Sequence, residues 1–427
     1  MGPVLSGRDN GSMEGVALTD EDRAILALET ASVAGHTCKV VLIPVGPPGA
    51  ERLRSSIAER LAAVPALRRR LGGSPERPAW VDDDRFDIAA HVVAAEVEPC
   101  HEEALRSEVA RLFAERLDRA RPLWRIDVVP LAAGGAALVW RVHHALADGT
   151  TAMRFADAVL WDPEPDAPNE ATPRHAGRSD DAHRRLRLGA FARHELALGA
   201  ARSPFDGPIG TGREVAFARA PLRELHDAAR RLAGATVNDA VLTAVAGGVR
   251  AWIQAHHGHL GRVRVKIPVS LHHAGDDEAN RDSFFTLELP LGEPDVVERL
   301  AAVRAATAVR KADHDAEVLD ELMRDLALVS PQLERFCRRL EASPRTFALN
   351  VSNVPGPARP IAVLGAPVEA VYSIAEIGER HALRIAVVSL AGRLHFGFCS
   401  DPAIVGDVGL LAREVEAEAV ALLAAAR

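Results

Sequence analysis

Long apolar runs are missing from this chain. Nowhere in its 427 residues is there an uninterrupted apolar stretch of about 18, the length a bilayer-crossing helix needs. No secretory signal peptide follows Met1, and a cytoplasmic location is expected. Cysteine is scarce. Cys38, Cys100, Cys337 and Cys399 lie far apart without a C-x-x-C pair, which removes zinc knuckles and redox motifs and leaves reduced thiols as the expectation. Lysine is scarcer: Lys39, Lys266 and Lys311 stand among 51 basic residues, a bias toward arginine that by itself points to no function. Surplus positive charge is absent too, and a net charge of −8 argues against a nucleic-acid partner. No G-x-S-x-G elbow is present and no cysteine has a recognisable nucleophile context, so a covalent acyl-enzyme route is not supported.

What is present is an ordinary globular composition, 48% apolar and 26% charged, in a chain long enough for two domains with their own cores. Residues 1–17 read as a flexible start; Met1-Gly2 with Ser6 fits the loose myristoylation pattern, which chance also produces. Strands are expected near Thr37–Val45, Arg85–Val93, Leu123–Pro130 and Ala136–His143, with Gly134-Gly135 turning the last two into a hairpin. Helices are expected at Ala50–Leu61, Glu102–Leu117 and Thr150–Trp161. Asp162–Asp181 reads as a linker, and the arginine-rich His183–Ala201 as a helix that either connects domains or faces a membrane. The second half repeats the layering. Helices are predicted at Pro221–Ala233, Asn238–Ala255, Asp295–Lys311, Ala316–Arg339 and Asp407–Ala425. Strands are predicted at Arg262–Leu271, Phe284–Leu289, Thr346–Val351, Val368–Tyr372, Leu383–Ser389 and Leu394–Phe398. The division is thus an N-terminal domain at 18–161, a linker and connecting helix at 162–205, and a C-terminal domain at 206–427, all of α/β class.

The chemistry concentrates in Val142-His143-His144-Ala145-Leu146-Ala147-Asp148-Gly149, an H-H-x-x-x-D-G signature at the end of an apolar alternating run. A histidine at a strand end can serve as a base near neutral pH. Neighbouring side chains on a strand point to opposite faces, so His143 and His144 do not share a metal ion, and no third ligand stands at metal spacing. His272-His273 with Asp276-Asp277 looks superficially alike but lacks the Asp-Gly pair at the right offset, and reads as a polar loop.

The signature resembles the chloramphenicol-acetyltransferase-like acyltransferases. Four features in order sharpen the resemblance: Pro122-Leu123-Trp124, the H-H-x-x-x-D-G segment, Asn238-Asp239 and Ser352-Asn353-Val354-Pro355-Gly356-Pro357. Together they resemble the bacterial wax ester synthase/diacylglycerol acyltransferase family. Leu67-Arg68-Arg69-Arg70, Trp80-Val81 with Phe86-Asp87 and His91, Gly207-Pro208-Ile209-Gly210 with Arg213, and Pro268-Val269-Ser270-Leu271 extend it over nearly the whole chain. The resemblance implies two such domains with a substrate tunnel at their interface. It also implies direct transfer of an acyl group from acyl-CoA to a hydroxyl acceptor, diacylglycerol or a long-chain alcohol, with acyl-CoA as co-substrate and no metal or prosthetic group.

On this reading His144 is the base with His143 beside it, and Asp148 pairs with an arginine to fix the turn. Gly149 relieves the backbone where strand passes into helix. Asn238, Asn353 and Ser270 face substrate or oxyanion. Pro122, Trp124, Asp239, Pro355 and Gly356 build the frame; Thr236 to Asp239 already reads as a capping-box variant. Peripheral contact with a membrane or lipid-droplet surface follows from such substrates. Departures from the family pattern are Asp206, His272, Ser373 (where proline is common) and Leu390, and they bear on the acceptor. Two other readings are a condensation-like acyltransferase of specialised metabolism with a carrier-bound donor, and a non-catalytic lipid-binding protein of the same fold.

Overall fold

The computed structural model describes residues 15–74, 76–163, 203–270, 282–312 and 346–427. Two large sheets organise them, beside a three-stranded and a two-stranded one. The first has five strands in the order Ala370–Ala375, His36–Ile43, Ala136–His143, Trp124–Pro130 and Val92–Ala94. Its pairings are antiparallel except the last, which is parallel. The second has six strands in the order Asp282–Glu288, Arg264–Ser270, Leu349–Val354, Leu383–Leu390, Arg393–Ser400 and Glu214–Pro221. There Leu349–Val354 runs parallel to both neighbours.

The central strand of the first sheet, Ala136–His143, is buried along its whole length, which is why its sequence is nearly all apolar. One face of this sheet packs Trp140, Val142 and Trp124 against Leu53 and Ile57 of the helix Ala50–Arg60 and Ala152 and Ala156 of the helix Gly149–Val159. The other face joins a larger core that runs through the helix Glu102–Ala114 into the second sheet and its helices, Leu222–Ala233, Val237–His257 and Val408–Ala425. Most of the periodic segments that lie among the described residues fold as their spacing predicts, and the Gly134-Gly135 hairpin forms, with Gly134 at φ +88°.

The helix Asp20–Ala27 and the hairpin Arg69–Ser74/Arg77–Asp82 were not expected, and three further features differ from expectation. Arg85–Val93 is not one strand: Asp87 accepts from the Ala89 N–H at 2.9 Å and caps a short helix, Ile88–His91, before the three-residue strand Val92–Ala94. Glu214–Pro221 is an edge strand whose alanines and arginine hid its period. Most consequential, Ala370–Ala375 belongs by sequence to the C-terminal half but pairs with His36–Ile43 in the first sheet, so a cut at residue 206 does not separate the halves. The expected linker beyond 163, the arginine-rich segment, the His272–Asp277 loop and the helix Ala316–Arg339 lie outside the described residues.

Candidate active site

The strand Ala136–His143 ends at His143, whose ring is gripped on three sides. Its Nε2–H donates to Glu29 Oε1 at 2.8 Å, and its Nδ1 accepts from the Ala145 N–H at 3.1 Å. A neutral ring protonated at Nε2 satisfies both contacts. Gly35 closes the third side: its φ is +74°, and a β-carbon there would stand 2.7 Å from His143 Nε2, so a side chain is excluded both by backbone and by space. The same glycine's carbonyl receives the His144 N–H at 2.9 Å. Glu29 is also paired with Arg119 at 2.7 Å. Burial opposes its charge, but hydrogen bonds from His143 and Arg119 hold its carboxyl down at about 2.

His144 follows the strand end. Its Nδ1 is enclosed and forms no hydrogen bond of ordinary geometry with a neighbour. Burial lowers its pKa, and the Arg384 guanidinium lowers it further, against the opposing pull of its own carbonyl and of Asp148. The ring is therefore neutral at pH 7 and able to take a proton. Arg384 is itself held by the Glu376 carbonyl at 3.0 Å, and burial lowers its own pKa.

Asp148 caps the helix Gly149–Val159, accepting from the Thr151 N–H at 2.5 Å. Among the described residues no arginine pairs with it. Besides His144, its charge acts on Lys39, on the adjacent strand, which occupies the space at the start of this helix. Gly149 does not relieve backbone strain, for its φ is not left-handed. A β-carbon there would make ordinary contact with Val354 Cγ2 at 3.7 Å and Lys39 Nζ at 3.9 Å. Gly149 instead marks where the H-H-x-x-x-D-G turn meets the Ser352–Pro357 segment of the other half.

That segment starts on the strand Leu349–Val354, where half-buried Asn353 stands opposite Val387. After Pro355, the Gly356 N–H donates to Ser389 Oγ at 3.0 Å, and a β-carbon on Gly356 would lie 2.2 Å from the Ser389 carbonyl oxygen. Glycine is required there by close approach. Asn238 is the second residue of the helix Val237–His257, half-buried. Asp239 completes a capping box with Thr236 and accepts the Thr307 hydroxyl at 2.6 Å. Trp124 is core: its indole N–H donates to the Leu67 carbonyl at 2.7 Å, and its ring stacks on His91 with centroids 4.5 Å apart. Pro122 bridges to Arg70. Ser270 ends its strand opposite Asp282. Of the departures from the family pattern, Asp206 pairs with Arg380 at 3.0 Å, Leu390 is buried, and Ser373 accepts from Lys39 Nζ at 2.7 Å.

The structure thus brings His143, His144, Asp148 and Gly149 together with Val354. It adds three residues the sequence reading missed: Glu29, Lys39 and Arg384. Glu29 had no signal, since it follows the helix Asp20–Ala27 in a non-repeating turn. Lys39 had one, a rare lysine in the middle of a largely apolar strand. Among the described residues no group of three His, Cys, Asp or Glu side chains is placed to hold a metal ion.

A half-buried imidazole kept neutral just past a strand end, on an α/β scaffold that exchanges a strand between its halves, fits the acyltransferase class expected from the sequence. The family profile described as the wax ester synthase/diacylglycerol acyltransferase catalytic domain matches residues 18–200, and that of the WS/DGAT C-terminal domain matches residues 279–422. The chain is 30% identical over 412 residues, 88% of its length and 89% of the other's, to the protein named probable diacylglycerol O-acyltransferase tgs1 of Mycobacterium tuberculosis. It belongs to the wax ester synthase/diacylglycerol acyltransferase family. Among solved structures, the wax ester synthase/diacylglycerol acyltransferase of Marinobacter aquaeolei VT8 shares the fold with a TM-score of 0.73 at 23% identity, over 96% of this chain and 99% of that one. The starter condensation domain of rhizomide synthetase, seen with C8-CoA, shares it at 0.59 and 14% identity, over 96% and 95%.

Proposed function

We propose that this chain moves a fatty acyl group from acyl-CoA to the hydroxyl of diacylglycerol or a long-chain alcohol, giving triacylglycerol or a wax ester. The observation that carries the reading is His144, an imidazole kept neutral at the junction of the two halves by burial and by Arg384. An alcohol is far too weak an acid to ionise at pH 7, and a neutral imidazole in reach supplies the missing base. His144 takes the hydroxyl proton as the oxygen attacks the thioester carbonyl. The tetrahedral intermediate then collapses with cleavage of the carbon–sulfur bond, and the proton goes to the departing CoA thiolate. Asn238, Asn353 and Ser270 are the groups assigned to substrate and oxyanion. His143, held by Glu29, fixes the turn from which His144 projects. The named relatives support this acceptor class, and the C8-CoA seen in a condensation domain of this fold supports an acyl-CoA donor.

Such acceptors partition into lipid, so the reaction places the protein at a membrane or lipid-droplet surface. Among the described residues no single helix is long and apolar enough to cross a bilayer. The test is thiol release from a panel of acyl-CoA donors with diacylglycerol and alcohol acceptors, the ester being identified by mass. His144→Ala lowers kcat by about 10²–10⁴-fold, the usual worth of a general base. Wild-type turnover in that variant would sink the mechanism, and no ester from any acceptor would sink the function.

A further inference from the structure

Lys39 stands at the middle of the strand His36–Ile43, between Trp140 on one neighbouring strand and Ser373 on the other. Its side chain is buried, with 1% of the residue exposed, in a region otherwise apolar. The ammonium has one hydrogen bond, to Ser373 Oγ at 2.7 Å, and no ion pair within 4 Å among the described residues. It lies against the first residue of the helix Gly149–Val159, 3.9 Å from where a Gly149 β-carbon would be. A cation there is doubly disfavoured: it is withdrawn from water, and it faces the positive end of a helix dipole. The charge that offsets both is Asp148, 2% exposed, whose carboxylate raises the basicity of Lys39 while burial lowers it.

We propose that Lys39 is a positioning residue for the catalytic turn: it is the counter-charge of Asp148, tethered by Ser373, and so ties the H-H-x-x-x-D-G segment to the strand contributed by the other half of the chain. The position of Asp148, and of His144 four residues before it, then depends on a lysine–serine pair formed across the Ala370–Ala375 exchange. This explains why no arginine among the described residues meets Asp148, and it gives a role to the serine that departs from the family's usual proline. The inference rests on the acyl-transfer reading for its rate predictions only.

The groups facing Lys39 are Ser373 from its partner strand and Asp148 from the helix start, with Cys38 its neighbour on the strand. Burial, opposed by the Cys38 and Asp148 charges, leaves its pKa at about 8, below the usual 10.5. Between those values the unfolded lysine is protonated and the folded one is not, so the unfolded state binds more protons and stability rises with pH. The rate should move the other way, because the counter-charge is lost.

The experiment compares wild type, Lys39→Met, Ser373→Ala and their double variant, using palmitoyl-CoA and dioleoylglycerol. In Lys39→Met, kcat is expected to fall about 10- to 100-fold at pH 7 with the palmitoyl-CoA KM within about twofold. Ser373→Ala falls about 3- to 10-fold, and the double variant is no worse than Lys39→Met, since the two act as one unit. Above about pH 8 the wild-type kcat declines while its melting temperature rises relative to Lys39→Met. A merely structural lysine would carry rate and stability in the same direction. Full kcat in Lys39→Met, additive effects in the double variant, or an alkaline decline that persists without Lys39 would each overturn the proposal. If wild type transfers no acyl group, the functional reading fails by itself. The stability cycle between Lys39→Met and Asp148→Asn still decides this one: coupling supports it, and strict additivity overturns it.

Discussion

Glu29 and His143 are joined by a 2.8 Å hydrogen bond, although 114 residues separate them in sequence and no motif includes the glutamate. The bond selects the tautomer of His143 and so lets its Nδ1 receive the Ala145 N–H, two residues on, inside the turn that carries His144. Glu29→Gln keeps an acceptor for His143 but loses the charge; Glu29→Ala loses both. Glu29→Ala should lower kcat about 10- to 100-fold, the order expected when a base shifts by less than an ångström, and Glu29→Gln less. The stability that the carboxylate adds over glutamine is present above the ordinary value of 4.5 and is lost as pH falls through about 2. Melting curves of wild type and Glu29→Gln from neutral to acid pH check this. A constant difference between them would refute it.

The protonation of His144 sets the acid limb of the rate. Burial and Arg384 push its pKa below 6.5, so kcat/KM should rise with pH, reach its plateau with a midpoint below 6.5, and stay level through neutrality. Arg384→Met removes a neighbouring positive charge, and the midpoint should move up toward 6.5. An upward shift without any change in slope is the signature. A downward shift would show that Arg384 does not act on His144 through its charge.

The elements and the signature were readable because their signals are local. Ala136–His143 shows its apolar run and the Thr236–Asp239 capping box shows its spacing, and both appear in the structure within a residue or two. Glu29, Arg384 and the partner of Asp148 were not readable, because each is brought in by a strand pairing or loop return far away in sequence. The exchange of Ala370–Ala375 was hidden for the same reason. A buried strand reads alike whichever sheet it joins, and only pairing with His36–Ile43 gives Lys39 a meaning. Gly149 shows the converse error, since a glycine at a strand-to-helix step suggested strain where the backbone is ordinary.

Gly356 is where the second half closes on the site. A β-carbon would stand 2.2 Å from the Ser389 carbonyl oxygen, an approach between two backbones that no rotamer change relieves. Gly356→Ala should therefore destabilise by about 1–3 kcal/mol, the range for overpacking. It should also shift the segment that carries Asn353 and Val354, lowering kcat more than the loss of folded protein explains. Melting temperature and active-site-normalised kcat separate the two effects. A variant with native stability would mean the loop has room to yield.

Asp148 does two jobs that different substitutions can part. Its carboxylate caps the helix at Thr151, and its charge offsets the Lys39 ammonium. Asparagine caps about as well as aspartate, so Asp148→Asn removes the charge alone, whereas Asp148→Ala removes the cap as well, for about 1 kcal/mol more. At pH 7 folded Lys39 carries its proton, and both variants should melt below wild type. Near pH 9 Lys39 is neutral in the folded protein, since its pKa is about 8, and the missing counter-charge no longer matters. Asp148→Asn should then rejoin wild type while Asp148→Ala stays below by the worth of the cap. Thermal melts of the three proteins at the two pH values read this directly. If Asp148→Asn matches wild type at pH 7, the carboxylate is a cap and nothing more, and the turn must be held by its other contacts.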